Sequence, residues 1–392
     1  MKVRFISLLI LIPMLFCCTK PGGENNEGNN NQEQTEPTTP TTVVDEDDLA
    51  PQVKDGDVIL VTSANMEKFL TEVSYTERDY SVTHILDDAY SPTAPGNADK
   101  PQEYTIRWTG DAAAGAPVVR LWEDSGWSRE YTDLSAGDYY ITISNMRPNA
   151  NYHFEVKAGG KTLTSGSFKT TGHVHQVFFS KQVRNARDLG GWKTKDGKTV
   201  KYRMIYRGGR LQANTLNNKG INEIKAEGIK AQLDLRGKSD VLSAPAIAGM
   251  DFCAPVIEEG YTSLLQNDKA KAKQCIEFIM KCVKENKPVY FHCSLGRDRT
   301  GTMAMMILGI LGVDEGDISK EYELTQFAPH GWATSDGEKT KMTRKVDYKS
   351  AASYIWGFAG ETGSFADGMR AYFNSIGIDD TAIDEFRSLM LE

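Results

Sequence analysis

Cys293 and Arg299 carry the strongest chemical signal in the chain. They bracket a loop, with five residues between them, in the run His292-Cys293-Ser294-Leu295-Gly296-Arg297-Asp298-Arg299-Thr300. A cysteine attacks as its thiolate, the form favoured by a helix N-terminus and neighbouring guanidinium groups. An arginine forks two N–H donors onto two oxygens of a phosphoryl group. Between them, Gly296 lets the backbone approach an anion closely or take a positive φ. Thr300 can donate its hydroxyl to the sulfur, and Asp298 can hand a proton to a leaving oxygen. These types suit a phosphate monoester: in-line attack by sulfur, a phosphocysteine intermediate, then hydrolysis by water, with no metal or other cofactor required.

The flanking pattern says what must position them. Val289 to Phe291 is a short apolar run that predicts a buried strand, and Thr300 to Leu311 predicts a helix. A tight loop between strand and helix aims the backbone N–H groups around Ser294, Leu295, Gly296 and Arg297 into one bowl, where a phosphate-sized anion binds.

The run from His292 to Thr300 resembles the signature loop of the cysteine-dependent protein tyrosine phosphatase superfamily. Asn185-Ala186-Arg187-Asp188-Leu189-Gly190-Gly191, Tyr206-Arg207-Gly208-Gly209-Arg210-Leu211 and Leu233-Asp234-Leu235-Arg236-Gly237 are similar to its bacterial tyrosine and lipid phosphatase branch. The resemblance covers roughly residues 173–390. It implies Cys293 as nucleophile, with His292, Asp298, Arg299 and Thr300 as its catalytic partners. The superfamily's Trp-Pro-Asp acid loop has no counterpart in this sequence. Branches with an aspartate just before the loop arginine point to Asp298 as the acid, with Asp234 as runner-up. Asp234 and Arg236 end a strand and are expected to face the same pocket. Arg187 and Asp188 are expected in a turn that buttresses the loop. Arg297 sits where the lipid-directed and triple-specificity branch often has a lysine, which suits a substrate with more than one phosphate.

The start of the chain reads as a targeting segment. Met1 to Arg4 is positively charged, and Phe5 to Phe16 is an apolar run of twelve residues, short for a bilayer span. Leu15-Phe16-Cys17-Cys18 resembles a lipoprotein cleavage box, with Cys18 the expected lipid anchor and Cys17 the alternative. Residues 1–18 are thus expected to be a lipoprotein signal peptide, and lipid chains would tether the mature protein to a membrane in the bacterial cell envelope. Residues 19–48 hold eight acidic residues and are rich in Asn, Gln, Pro and Thr, the composition of a disordered acidic linker. The net charge of −8 resides mostly there, so the folded part is close to balanced and nothing points to a nucleic-acid partner.

Residues 49–172 change character. Val58–Thr62, Tyr104–Trp108, Val118–Trp122, Tyr139–Ile143, Tyr152–Val156 and Leu163–Thr170 read as strands, which predicts an all-β sandwich. Residues 146–156 resemble the fibronectin type III corner. Trp108, Trp122 and Trp127 are expected as core or edge aromatics, and His173 and His175 as linker residues. Residues 173–392 are long enough for one α/β domain. Helices are predicted over Asn217–Ala226, Ala270–Lys284, Glu315–Gln326, Gly363–Ser375 and Thr381–Leu391, and strands over Lys230–Leu235 and Asp251–Val256. Alternation of this kind favours a mostly parallel sheet flanked by helices.

Cys275 and Cys282 lie on one predicted helix, about 10 Å apart by helical rise and too far to bridge. A reversible bridge from Cys253 to Cys293 is an open alternative. Two function classes remain. One is a phosphatase for a phosphorylated peptide, lipid or inositol phosphate. The other is a tethered binding protein with a silent phosphatase domain. A sulfur-transfer enzyme also uses a loop cysteine, but Arg299 and Thr300 fit phosphate better.

Overall fold

The computed structural model describes residues 52–80, 102–109, 114–180, 183–258, 260, 262–327 and 344–392, without side chains for 344–347. The expected signal peptide, both anchor cysteines and the acidic linker lie outside what is described.

Apolar–polar alternation organises the first part of the chain. It comprises β1 (Asp57–Leu60), α1 (Ala64–Glu72), β2 (Tyr104–Arg107), β3 (Val118–Glu123), β4 (Ser128–Tyr131), β5 (Tyr140–Ile143), β6 (Asn151–Ala158) and β7 (Lys161–Thr171). Five strands form a sheet in the order β1-β7-β6-β3-β4, and β2 pairs with β5 in a second. Ile59, Ile106, Val119, Leu121, Ile143, Tyr152, Phe154 and Phe168 share one buried core between them. This region is not all-β. Ser63 caps α1 by accepting the Met66 N–H at 3.1 Å, and Met66, Phe69 and Leu70 form its buried stripe. That stripe spans barely two turns, so its period is inconspicuous beside the strand that precedes it. β4 was likewise hidden, because Ser-Arg-Glu-Tyr carries no apolar alternation.

The second part contains β8 (Arg187–Asp188), β9 (Ile205–Gly208), α2 (Asn218–Ala226), β10 (Ala231–Asp234), β11 (Asp251–Cys253), α3 (Ser263–Gln266), α4 (Lys269–Lys284), β12 (Val289–His292), α5 (Asp298–Leu311), α6 (Glu315–Glu323), α7 (Arg344–Trp356), α8 (Phe365–Ser375) and α9 (Asp380–Met390). The sheet order is β11-β10-β12-β9-β8. Its first four strands are parallel and β8 runs antiparallel to β9, so the sheet is mixed at one edge. Ile205, Val289 and Phe291 face the core under α4, α5, α8 and α9. Tyr206 and Tyr290 face the opposite side, with Ile224 of α2. The helix expected over Glu315–Gln326 stops at Glu323 and finishes as a tighter turn, Leu324–Phe327. α5 is buried from Arg299 to Leu311, as an apolar helix must be, and ends on Gly312 at φ +90°.

Leu49–Glu392 is one compact unit, and charged pairs join its β-rich part to the α/β part. Arg129 grips Glu223 through two bonds of 2.6 and 2.9 Å. Arg203 stacks on Trp127 at 4.1 Å and pairs with both Glu123 and Glu227. The two carboxylates are each 1% exposed; Glu123 also holds Arg147 at 3.1 Å, so Glu227 is the one left buried without an arginine if Arg203 is lost. Arg203→Met is therefore expected to destabilise the fold by about 3–5 kcal/mol, read as the shift of a urea unfolding curve. A loss below about 1 kcal/mol would mean that the junction does not depend on this cation.

Candidate active site

β12 delivers Cys293 and α5 begins at Asp298, so the loop between them is five residues of irregular backbone. The helix starts two residues before its apolar run. Asp298 and Arg299 occupy its first turn, where the amides have no intrahelical acceptor. Cys293 is 3% exposed and Arg299 6%. Arg299 donates to the Ile257 carbonyl at 3.0 Å, which fixes its guanidinium beneath the loop. Gly296 has φ +71°, and a Cβ there would lie 2.4 Å from Gly208 C and 2.5 Å from Gly209 N. Only glycine fits, because the obstacle is backbone.

The loop's carbonyls are tied from outside. Gly296 O accepts from Asn185 Nδ2 at 2.7 Å and from the Arg207 guanidinium. Ser294 O accepts the Arg210 N–H at 3.2 Å, and Ser294 Oγ donates to Asp240 at 2.8 Å. Behind these groups lies Glu321 of α6, 1% exposed. It takes Arg187 Nε at 2.8 Å and Arg207 at 2.8 Å, and its own carbonyl accepts Arg187 at 2.8 Å. Burial, then the nearby Arg207, pushes the Arg187 guanidinium below its usual range, and Glu321 offsets this. Arg187 thus backs the loop, though from strand β8 rather than from the turn expected of it. Asp188, also buried, accepts the N–H groups of Gly190 at 2.8 Å and Arg203 at 2.5 Å.

Asp234 and Arg236 do not face the pocket. They are 0% and 1% exposed and hold each other in a two-pronged pair of 2.9 and 2.8 Å. Residues two apart at a strand end point the same way, so the pair closes on itself. Burial raises the Asp234 carboxyl, but Arg236, His292 and the Leu242 N–H outweigh it and leave it below the usual range. An ionised, enclosed carboxylate is a poor proton donor, which removes Asp234 as the runner-up acid. His292 is also fully buried. Gln232 on the neighbouring strand donates to its Nε2 at 2.9 Å, while Nδ1 faces the Cys293 carbonyl at 3.3 Å. Burial, above all, holds this histidine neutral, with its pKa down to about 4. Gln232 and the Cys293 carbonyl thus hold its ring at the base of the loop.

Other expectations are corrected by the geometry. The Thr300 hydroxyl is buried with no hydrogen-bond partner, so the bond to sulfur is not formed in this state. A Cys253–Cys293 bridge is out of reach. Cys253 and Phe291 flank Leu233 on opposite sides, two strand spacings or about 9.5 Å apart, beyond the roughly 7 Å limit for bridged Cα atoms, and Cys293 lies two residues further on. His173 pairs with Glu67 at 2.5 Å, whereas His175 is buried between Asp188 and the Asn145 carbonyl. Among the described residues no cluster is arranged to hold a metal ion. A cleft of about 680 Å³ lies at the other end of the catalytic strands, lined by Trp127, Arg203, Lys230 and Pro288 and apart from the loop.

The tyrosine phosphatase family model matches residues 180–392, more than half of the chain. This chain belongs to the tyrosine phosphatase family. A Cupriavidus necator protein named as a tyrosine-protein phosphatase is 25% identical over 172 residues, spanning 38% of this chain and 62% of that relative. A tyrosine-protein phosphatase of Nostoc commune is 24% identical over 140 residues, spanning 33% and 47%. The chain thus spans less than two thirds of either relative. Among solved structures, P. aeruginosa TpbA in complex with pTyr shares 16% identity over 44% of this chain and 87% of that one, with a TM-score of 0.29. The core catalytic domain of the S. cerevisiae PP-IP phosphatase SIW14 shares 20% over 38% and 86%, with a TM-score of 0.24. Both scores are too low to bear on function.

For a tyrosine phosphatase family loop built this way, Gly296→Ala should weaken tungstate binding about tenfold, since a positive φ alone costs about 1–2 kcal/mol. Calorimetric titration with tungstate would measure it, and unchanged affinity would mean that the Gly208–Gly209 contact does not shape the bowl. His292 makes a separate prediction. Its folded pKa of about 4 lies below its ordinary 6.5, so between those values the unfolded chain takes up a proton the fold refuses. Stability should fall as pH drops from about 6.5 to about 4. His173, raised by Glu67, works in the opposite sense and at higher pH. Melting temperatures of the wild type and His292→Gln across this window test the assignment, and the variant should show the flatter profile.

Proposed function

We propose that this protein is a metal-independent phosphomonoesterase acting on phosphotyrosine through a phosphocysteine intermediate. The observation that carries the reading is the Gly296 carbonyl, pulled outward by Asn185 and Arg207 above a buried Cys293. A loop whose carbonyls are held outside keeps its amides for an anion. The Cys293 sulfur attacks phosphorus, the ester P–O bond breaks, and the leaving oxygen takes a proton from Asp298. Water then attacks phosphorus and gives its proton back to Asp298. The S–P bond breaks, releasing phosphate and the thiolate. Arg299 holds two phosphoryl oxygens through both steps. Asp298 is assigned as the acid because it is partly exposed on the first turn of α5, beside Arg299.

A second reading rests on Arg297. This side chain is partly exposed inside the loop, beside Asp298, and adds a second cation that suits a second phosphate on a phosphoinositide or inositol polyphosphate. A tethered binding protein with no turnover is the remaining alternative. The reading extends to a lipoprotein of the bacterial cell envelope, anchored through Cys18. It also includes a fibronectin type III-like sandwich over residues 49–172, supported by Tyr152, whose hydroxyl accepts the Arg147 N–H at 2.9 Å across a tight corner.

Phosphate release from a phosphotyrosine peptide, a phosphoinositide and an inositol polyphosphate, each with EDTA present, tests the proposal. Release should be blocked by vanadate and abolished in Cys293→Ser. Asp298→Asn should lower kcat about 10²–10⁴-fold. No release from any substrate by reduced, folded protein would favour the binding protein instead.

A further inference from the structure

The family match begins at residue 180, yet the buttress of the loop reaches far outside it. α6 carries Glu321, and α6 is clasped by residues 64–80. Lys320 Nζ donates to the Leu70 carbonyl at 3.1 Å. The Tyr75 hydroxyl donates to Glu323 at 2.5 Å, inside the protein. The Arg78 N–H and the Tyr80 hydroxyl both reach Glu315, each at 2.7 Å. Gly316 packs so closely that a Cβ there would lie 2.3 Å from the Tyr75 carbonyl. Beneath these bonds Phe69 meets Phe327 at 5.7 Å between ring centres, in a cluster that also takes Met66, Leu70 and Leu324.

We propose that residues 64–80 are a positioning element of the phosphate-binding loop. They hold α6 in register, α6 holds Glu321, and Glu321 holds Arg187 and Arg207. Arg207 bonds the Gly296 carbonyl directly. Arg187 reaches it through the Asn185 side-chain oxygen, and Asn185 also bonds Thr325, just beyond α6. From Glu321 onward every link is a hydrogen bond between buried groups, so a shift of α6 reaches the loop without passing through solvent. The inference rests on reading the loop as a phosphate site, and it makes the segment before the family domain part of the catalytic unit. Tyr75 and Gly316 are positioning residues in this sense, since neither touches the loop.

The test uses the full chain and reads anion binding as well as turnover. Tyr75→Phe removes the bond to Glu323. Gly316→Ala forces Tyr75 and α6 apart, while alanine is itself a better helix former than glycine. Both should weaken tungstate binding, measured by calorimetry, by about three- to tenfold, and lower kcat by a similar factor. Combined with Glu321→Gln, each should add less than its own effect, because the path is shared. Val119→Ala, in the core of the five-stranded sheet, controls for stability: its melting temperature should fall while tungstate affinity and kcat hold. Wild-type tungstate affinity in both Tyr75→Phe and Gly316→Ala, or a loss matched by Val119→Ala, would overturn the proposal. If the wild type binds tungstate but turns nothing over, the binding arm still decides the positioning role while the phosphatase reading fails. If it binds no tungstate, both fall.

Discussion

Two buried arginines share one buried carboxylate, and the catalytic loop is hung from that arrangement. Glu321 binds Arg187 and Arg207, and Arg207 passes the restraint to the Gly296 carbonyl. Removing three charges from water is costly, and such clusters are weak evidence for stability. Their value here is directional. A peptide at positive φ, jammed against the Gly208–Gly209 backbone, has one acceptable orientation, and the guanidinium fixes it. The loop is thereby shaped before any anion arrives, which spares the ordering cost at binding.

The same device recurs at the junction of the two halves. Arg203 neutralises Glu123 and Glu227 and covers the face of Trp127, while Arg129 closes on Glu223. Glu123 and Arg129 come from β3 and β4, Glu223 and Glu227 from α2 and its C-terminal cap, and Arg203 from just before β9, so the pairs lock the five-stranded sheet to a helix of the α/β half. His175 extends the contact, its Nε2–H donating to the Asn145 carbonyl while Nδ1 faces Asp188, with no exposure to solvent. The β-rich half is therefore built into the α/β half, and motion between them is restrained by buried charge as well as by apolar contact.

The catalytic loop was legible in the sequence because its chemistry is local. Cys293, Gly296 and Arg299 sit within seven consecutive residues, between a strand and a helix that each announce themselves by apolar content. The parallel strands β10, β11 and β12 were legible for the same reason. Glu321 was not, since nothing in Glu-Tyr-Glu says that the helix folds back onto two arginines more than a hundred residues away. Gln232 left a faint signal, a lone amide in an apolar strand, that becomes meaningful only once His292 is placed beside it in the sheet. Asp234 and Arg236 misled because a charged pair at a strand end looks like a pocket lining when the two side chains in fact satisfy each other. α1 escaped because two turns of helix leave too short a stripe to outweigh the strand before it.

The enclosure of Cys293 bears on how the protein would age in an oxidising setting. A thiolate that attacks phosphorus also reacts with peroxide, and the sulfenic acid so formed is normally rescued by a second thiol close by. None of the described cysteines is bridged, and Cys253 lies too far across the sheet to serve. With only 3% of Cys293 open to solvent, the pocket rather than a partner thiol guards the sulfur. A bound oxyanion would complete that guard, so the sulfur would be best preserved with an anion in the bowl and spent fastest when the bowl stands empty.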